Sequence, residues 1–140
     1  MNNKGLEYCK YLSDLGIPIE SYGTNFCNNE DDRWEEWMTQ RETYGFDERE
    51  TWGLHDTFIE WLYTHLMMFK EKAEPIVDLT FYKFPYDENE DGNTRMITLG
   101  EAVDIIIEAC RNYLTDDDIF ANFPKKYIYL LADILPALWW

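Results

Sequence analysis

Serine is nearly missing from this chain. Ser13 and Ser21 are the only two in 140 residues. Neither lies in a G-x-S-x-G elbow, so the usual serine-nucleophile signature is excluded. Histidine is as scarce, at two residues, and cysteine stops at three: Cys9, Cys27 and Cys110. The cysteine count is odd and no pair has C-x-x-C spacing. This argues against a disulfide framework or a zinc site and for reduced thiols. Basic residues are few, 12 against 28 acids, which leaves a net charge of −16. Binding to a nucleic-acid backbone requires a basic footprint, and an anionic membrane would repel this chain. No glycine-rich phosphate loop occurs among the seven glycines. Long apolar runs are lacking too. The first fourteen residues carry Glu7 and Asp14, so no signal peptide is expected. The apolar stretch Tyr127 to Trp140 is broken by Asp133 and Pro136 and falls short of the roughly 20 residues that span a bilayer.

What the chain has in quantity is aromatic side chains and carboxylates. Aromatics make up 17 % of the residues, including six Trp and ten Tyr. That is ample material for a core and argues against an acidic disordered chain. The length suits one globular domain, residues 1–140. A high net charge keeps such a domain dispersed at some cost in self-repulsion. The expected location is the cytoplasm.

The patterning predicts a mostly α fold, a compact domain of about five helices, with residues 76–99 compatible with a small β-hairpin. Leu6, Cys9, Leu12 and Leu15 recur at helical spacing until Gly16 and Pro18 intervene. Residues 17–29 read as a loop. Asp31 or Asp32 is the expected N-cap of a helix reaching about Arg41 and ended by Gly45. The most regular segment runs from Trp52 to Ala73. There Leu54, Phe58, Trp61, Leu62, His65, Leu66 and Phe69 form a stripe at spacings of three and four. Acids at its start and Lys70 and Lys72 at its end suit the helix dipole. Ile76 to Phe84 and Arg95 to Leu99 read as strands around a polar turn with Asp91-Gly92. Thr98 and Glu101 have capping-box spacing at the head of another helix. Asp116 to Asp118 would cap a short helix through Ala121. Lys125 to Leu135 forms the last helix, apolar around most of its girth.

Several residue sets have the composition of chemical sites. Asp87-Glu-Asn89-Glu-Asp91-Gly92 matches the first half of a calcium loop. Its twelfth position is Thr98, where a bidentate glutamate is needed, so an acidic turn is the better reading. His55 and His65 project about 80° and about 15 Å apart on one helix and cannot share a metal. His65 is expected as a hydrogen-bonded core residue. Asp56 and Glu60 are an i, i+4 carboxylate pair, best read as a solvated face. No metal, cofactor or catalytic residue is assigned.

The strongest compositional feature is the stretch Glu30 to Glu60, with eleven acids and three bases. Trp34, Trp37, Tyr44, Phe46, Trp52 and Phe58 are interleaved with them. Solvated helix faces explain much of this. The functional alternative is a shaped negative surface that competes with nucleic acid for a basic groove, with Asp31, Asp32, Glu35, Glu36, Asp47, Glu48, Asp56 and Glu60 as its contacts.

The segment Asp47-Glu-Arg-Glu-Thr51-Trp52-Gly-Leu54, with Phe58, Leu62, Leu66 and Phe69-Lys70-Glu71 after it, resembles a group of small acidic phage and prophage proteins. It shares with them an acid-rich helix entry that ends in T-W-x-L. The resemblance implies an accessory protein directed at host defence and carries over no catalytic residue. The expected function is therefore a non-enzymatic inhibitor of a basic host protein, such as a CRISPR effector or another nucleic-acid-handling enzyme. Two alternatives stay open. One is a sponge for a nucleotide signal, with Trp52 or Tyr82 as a stacking platform. The other is a metal-dependent hydrolase whose ligands come from distant segments.

Overall fold

The structure, a computed structural model, describes residues 9–17, 31–118 and 120–140. Leu6, most of the loop expected at 17–29, Cys27 and Glu30 lie outside the described residues. The described chain is mostly α. Its helices are α1 (Lys10–Asp14), α2 (Trp34–Tyr44), α3 (Leu54–Ala73), α4 (Leu99–Leu114) and α5 (Lys125–Ile134). Two short strands, β1 (Lys83–Tyr86) and β2 (Arg95–Thr98), pair antiparallel. Single 3-10 turns occupy Glu48–Thr51 and Leu135–Ala137. The chain divides into two compact units, Met1–Trp61 and Leu62–Trp140, and α3 begins in the first and ends in the second.

In the first unit, α2 ends as its sequence requires. Gly45 takes a left-handed φ of +85° and donates its N–H to Arg41 O, closing the helix. The start differs from expectation. Neither Asp31 nor Asp32 caps α2, because Arg33 is the residue before it and makes no side-chain cap. Asp31 is spent locally, its carboxylate accepting the N–H of Arg33 at 2.9 Å. The fully buried groups here are unusual. Trp37 is joined by Asp47 and Arg49, all at 0 % exposure.

The second unit has an ordinary apolar core. Val103, Ile106 and Cys110 on α4 are fully buried, as are Ile97 on β2 and Ile134 on α5. α4 packs on α5 and on both strands, and α5 also meets β1. The head of α4 is a complete capping box. Thr98 Oγ1 accepts the Glu101 N–H at 3.1 Å, and Glu101 Oε1 accepts the Thr98 N–H at 3.2 Å. Inside the box, Gly100 leaves little room for a side chain. A Cβ on Gly100 would sit 3.3 Å from Leu79 Cβ, and the Gly100 N–H donates to Leu79 O at 3.0 Å.

Four local expectations are corrected. The stripe on α3 is turned: Ile59, Leu62, Tyr63, Leu66 and Ala73 are buried, whereas Leu54, Phe58 and Trp61 are exposed and His65 lies outside the core. α3 is apolar over more than one face, so spacing alone allowed two stripes. In the second unit, α3 meets α4 on the buried side: Lys70 pairs with Asp104, and Arg111 lies 5.9 Å over the Tyr63 ring. Residues 76–82 are not strand. Asp78 Oδ1 accepts both the N–H and the hydroxyl of Thr80, which makes a turn, and pairing begins at Lys83 opposite Thr98. Asp116 and Asp118 cap no helix and instead accept the N–H groups of Asp118 and Phe120 in successive turns. Lastly, α5 is not buried all round. Leu130, Leu131 and Ile134 face the core, while Ile128, Tyr129 and Leu135 are exposed.

Candidate functional site

The acidic stretch separates into an inner, neutralised part and an outer, open part. The inner part centres on Asp47. Its Oδ1 accepts the backbone N–H of Arg49 at 3.0 Å and the Arg49 Nε–H at 2.9 Å. Its Oδ2 accepts from the second Arg49 guanidinium nitrogen at 2.9 Å and from Arg41 Nε at 2.6 Å. Burial by itself would raise the pKa of Asp47. The hydrogen bonds and charge of Arg49, with Arg41, outweigh it and hold the carboxyl below its ordinary value. Asp47 is therefore removed from the set of partner contacts, since a fully buried carboxylate held by two arginines has no free face.

The same geometry occurs a second time nearer the surface. Asp31 Oδ1 accepts the N–H and Nε–H of Arg33, and Oδ2 accepts from the guanidinium at 3.1 Å. Both pairs have the spacing Asp-x-Arg. The guanidinium groups then lie against indoles. Arg49 is 4.6 Å from the Trp37 ring centre and 5.4 Å from that of Trp34. Arg33 is 4.9 Å from Trp37 and 5.4 Å from Trp52. Trp37 and Trp52 meet edge to face at 5.8 Å. Trp52, Arg33, Trp37, Arg49 and Trp34 thus form a ladder of alternating indole and guanidinium. Sequence reasoning missed this role of the arginines. The usable signal was the repeated Asp-x-Arg, each close in sequence to a Trp.

Glu48 belongs to this inner part as well. It is half-buried, its Oε1 accepts the Trp37 indole N–H at 2.9 Å, and its own N–H donates to Gln40. Glu50, also half-buried, has its pKa raised by burial, against the pull of Arg41.

The outer part is a face of α2. Glu35, Glu36, Thr39, Glu42 and Thr43 are exposed, with Asp32 just before the helix. At 100° per residue they fall within an arc of about 120°. Thr39 and Thr43 turn their hydroxyls back to the carbonyls of Glu35 and Thr39, leaving the carboxylates as the outward charges. Among the described residues no cation pairs with Glu35, Glu36 or Glu42. Asp56 is exposed on α3, 3.6 Å from His55 Nε2, and Glu60 is half-buried. Of the eight sequence-derived contacts, α2 and its lead-in gather Asp32, Glu35 and Glu36 on one side.

The second unit holds other concave features. The Asp87–Asp91 loop is a hairpin tip in which Asp87 accepts the N–H groups of Asp91 and Gly92. Beside it, a groove of about 400 Å³ is lined by Tyr86, Tyr129, Lys125 and Lys126, with Asp87, Glu90 and Asp133 among the same walls. Three carboxylates around two ammonium groups make a poor cradle for a phosphate. Among the described residues no three His, Cys, Asp or Glu side chains converge as metal ligands. None of their helices is long and apolar enough to cross a membrane. No family model matches the chain, and no curated protein or solved structure is significantly similar to it.

Proposed function

We propose that this chain is a non-enzymatic binding protein that docks the acidic outer face of α2 onto the basic site of a nucleic-acid-handling protein and blocks it. The observation that supports the reading is the sorting of charge in the first unit. Arg41 and Arg49 are drawn inward onto Asp47, Arg33 is held by Asp31 at the surface, and the only charges on the exposed face of α2 are carboxylates. Glu35 and Glu42 stand about 10.5 Å apart along one line of the helix. A row of this kind on a rigid support offers a basic groove fixed negative charges, as a phosphate backbone does. Asp32, Glu35, Glu36 and Glu42 are the contacts proposed, with Asp56 on α3 as an outlying charge. The resemblance to small phage proteins makes a host defence effector, such as a CRISPR enzyme, the class of target to try first, with the host cytoplasm as the setting.

The test is capture of such a protein by the tagged full-length chain at rising salt, together with inhibition of its nucleic-acid binding. Wild-type capture weakens between 50 and 500 mM salt, a range chosen because the screening length falls across it from beyond 10 Å to a few Å. Salt-independent capture, or capture without competition by nucleic acid, counts against the reading.

A further inference from the structure

The second unit carries an apolar groove of about 210 Å³, open between the turn before β1 and the chain after α5. Its floor is Leu79 and Leu99, both buried, and its walls include Phe81, Tyr82 and Trp139. The walls are large apolar groups left open. Phe81 is 73 % exposed and Trp139 61 %, and Ile76 and Leu135 on the same two segments are also exposed. Apolar groups clustered around a groove mark a binding surface more often than scattered single residues do.

The groove is built on fixed backbone. Leu79 O accepts the Gly100 N–H at 3.0 Å, and Tyr82 O accepts the Leu99 N–H at 3.0 Å, which ties the floor and one wall to the capped start of α4. Phe81 and Tyr82 brace each other edge to face at 5.1 Å.

Its charge selects the occupant. Asp78 is the only charged residue in the lining. The Thr80 hydroxyl and N–H hold its carboxyl below the ordinary pKa, so it is ionised at neutral pH. Both of those bonds go to Oδ1, so Oδ2 remains to accept from a cation. The open faces of Phe81 and Trp139 attract cations as well, and the chain's net charge of −16 draws basic partners in. From this the geometry points to a specific class of ligand: the groove takes a bulky apolar side chain, of tryptophan or leucine size, from a partner segment that carries Lys or Arg beside it. A second copy of this chain is a poorer occupant, because two bodies of charge −16 repel.

The test uses the full chain, isotope-labelled, and three blocked tripeptides as probes: Lys-Trp-Lys, Lys-Ala-Lys and Gln-Trp-Gln. Lys-Trp-Lys is expected to shift the amides of Leu79, Tyr82 and Leu99 and the Trp139 indole, saturably. The other two are expected to bind several-fold more weakly: Lys-Ala-Lys loses the burial of the indole, and Gln-Trp-Gln loses rim charges that contribute up to about fivefold each. Asp78→Asn, which keeps the turn to Thr80, should weaken Lys-Trp-Lys by about two- to fivefold without changing the melting temperature. Ala137→Phe, which fills the groove, should abolish the shifts. If that variant does not fold, Asp78→Asn still decides. Four results would overturn the proposal: equal binding of Lys-Ala-Lys, which is charge attraction alone; equal binding of Gln-Trp-Gln, which removes the basic requirement; no shift at the groove at several millimolar probe; or groove signals that move with protein concentration alongside dimer formation, which makes a second copy the occupant.

Discussion

Asp47 and Arg49 are two residues apart, both fully buried, and joined by three hydrogen bonds from one residue to the other's carboxylate. A buried ion pair gives little net stability, because desolvating two charges offsets most of their attraction. Removing one partner is another matter. Asp47→Ala would take the Asp47 carboxylate away from a fully buried Arg49, with Arg41 losing its acceptor as well. The expected loss is about 3–5 kcal/mol. Replacing Asp47 and Arg49 together by apolar residues should cost less than Asp47→Ala alone. Urea unfolding followed by tryptophan fluorescence measures both. A double variant weaker than the single one would show that the pair is net stabilising.

The same carboxylate sets an acid limit. Its pKa is lowered on folding. The stability it contributes is fully present above the unfolded value of about 3.9 and is lost as pH falls through the folded value. Glu50 works in the opposite direction. Its folded pKa is raised, so it costs stability as pH rises through that value and relieves the cost as pH falls. The urea midpoint of the wild type should therefore drop below about pH 4, and the drop should be shallower in Asp47→Asn. Equal slopes would mean that other carboxylates govern acid unfolding.

Cys110 offers a check on the second unit. The thiol is fully buried on α4, and desolvation pushes its pKa up to about 12. At pH 8 only about one thiol in ten thousand is then ionised in the folded state. Cys9 is half-exposed. Iodoacetamide should modify Cys9 in the native protein and reach Cys110 only in denaturant, as read by peptide mass. Rapid native labelling of Cys110 would contradict the packing of α4.

The capping box at the head of α4 supports both the core and the proposed groove. Thr98→Ala removes the acceptor for the Glu101 N–H and should lower stability by about 1 kcal/mol. Thr98→Ser should restore most of it. A loss in both variants alike would place the effect in side-chain packing and not in the cap.

That capping box was legible in the sequence because its two residues are three apart and its two hydrogen bonds run between them. The end of α2 at Gly45 was legible for the same local reason. The buried face of α3 was legible only at Leu62 and Leu66. Leu54, Phe58 and Trp61 fit a helical period as well as Ile59, Leu62 and Leu66 do, and the choice between them rests on tertiary contacts. Asp47 was misread from the rule that charge runs lie on the surface. Its burial depends on Arg41 and Arg49 both reaching it, and Arg41 comes from six residues upstream on another element. The groove at Leu79 and Leu99 was invisible for a similar reason, since its walls come from two segments more than fifty residues apart in sequence.

The last prediction separates charge that folds the protein from charge that binds. Glu35 and Glu36 are exposed in the first turn of α2. Reversal to lysine there loses a favourable interaction with the helix dipole, about 0.3–1 kcal/mol per residue. It also relieves repulsion from Asp32 and Glu42 and from the net charge of −16. The two effects oppose each other and are of similar size, so Glu35→Lys with Glu36→Lys should change stability by less than about 1 kcal/mol. Binding has no such offset. Two reversed charges face a basic site with the wrong sign, and capture of the partner should fall tenfold or more at low salt. Asp56→Lys, an isolated charge on α3, should cost much less. Adding salt should narrow the gap between wild type and the double variant, since screening acts on the exposed charges of both. If the double variant binds as well as wild type while remaining folded, the outer face of α2 only solvates the helix, and the binding surface is to be sought among the exposed aromatic residues.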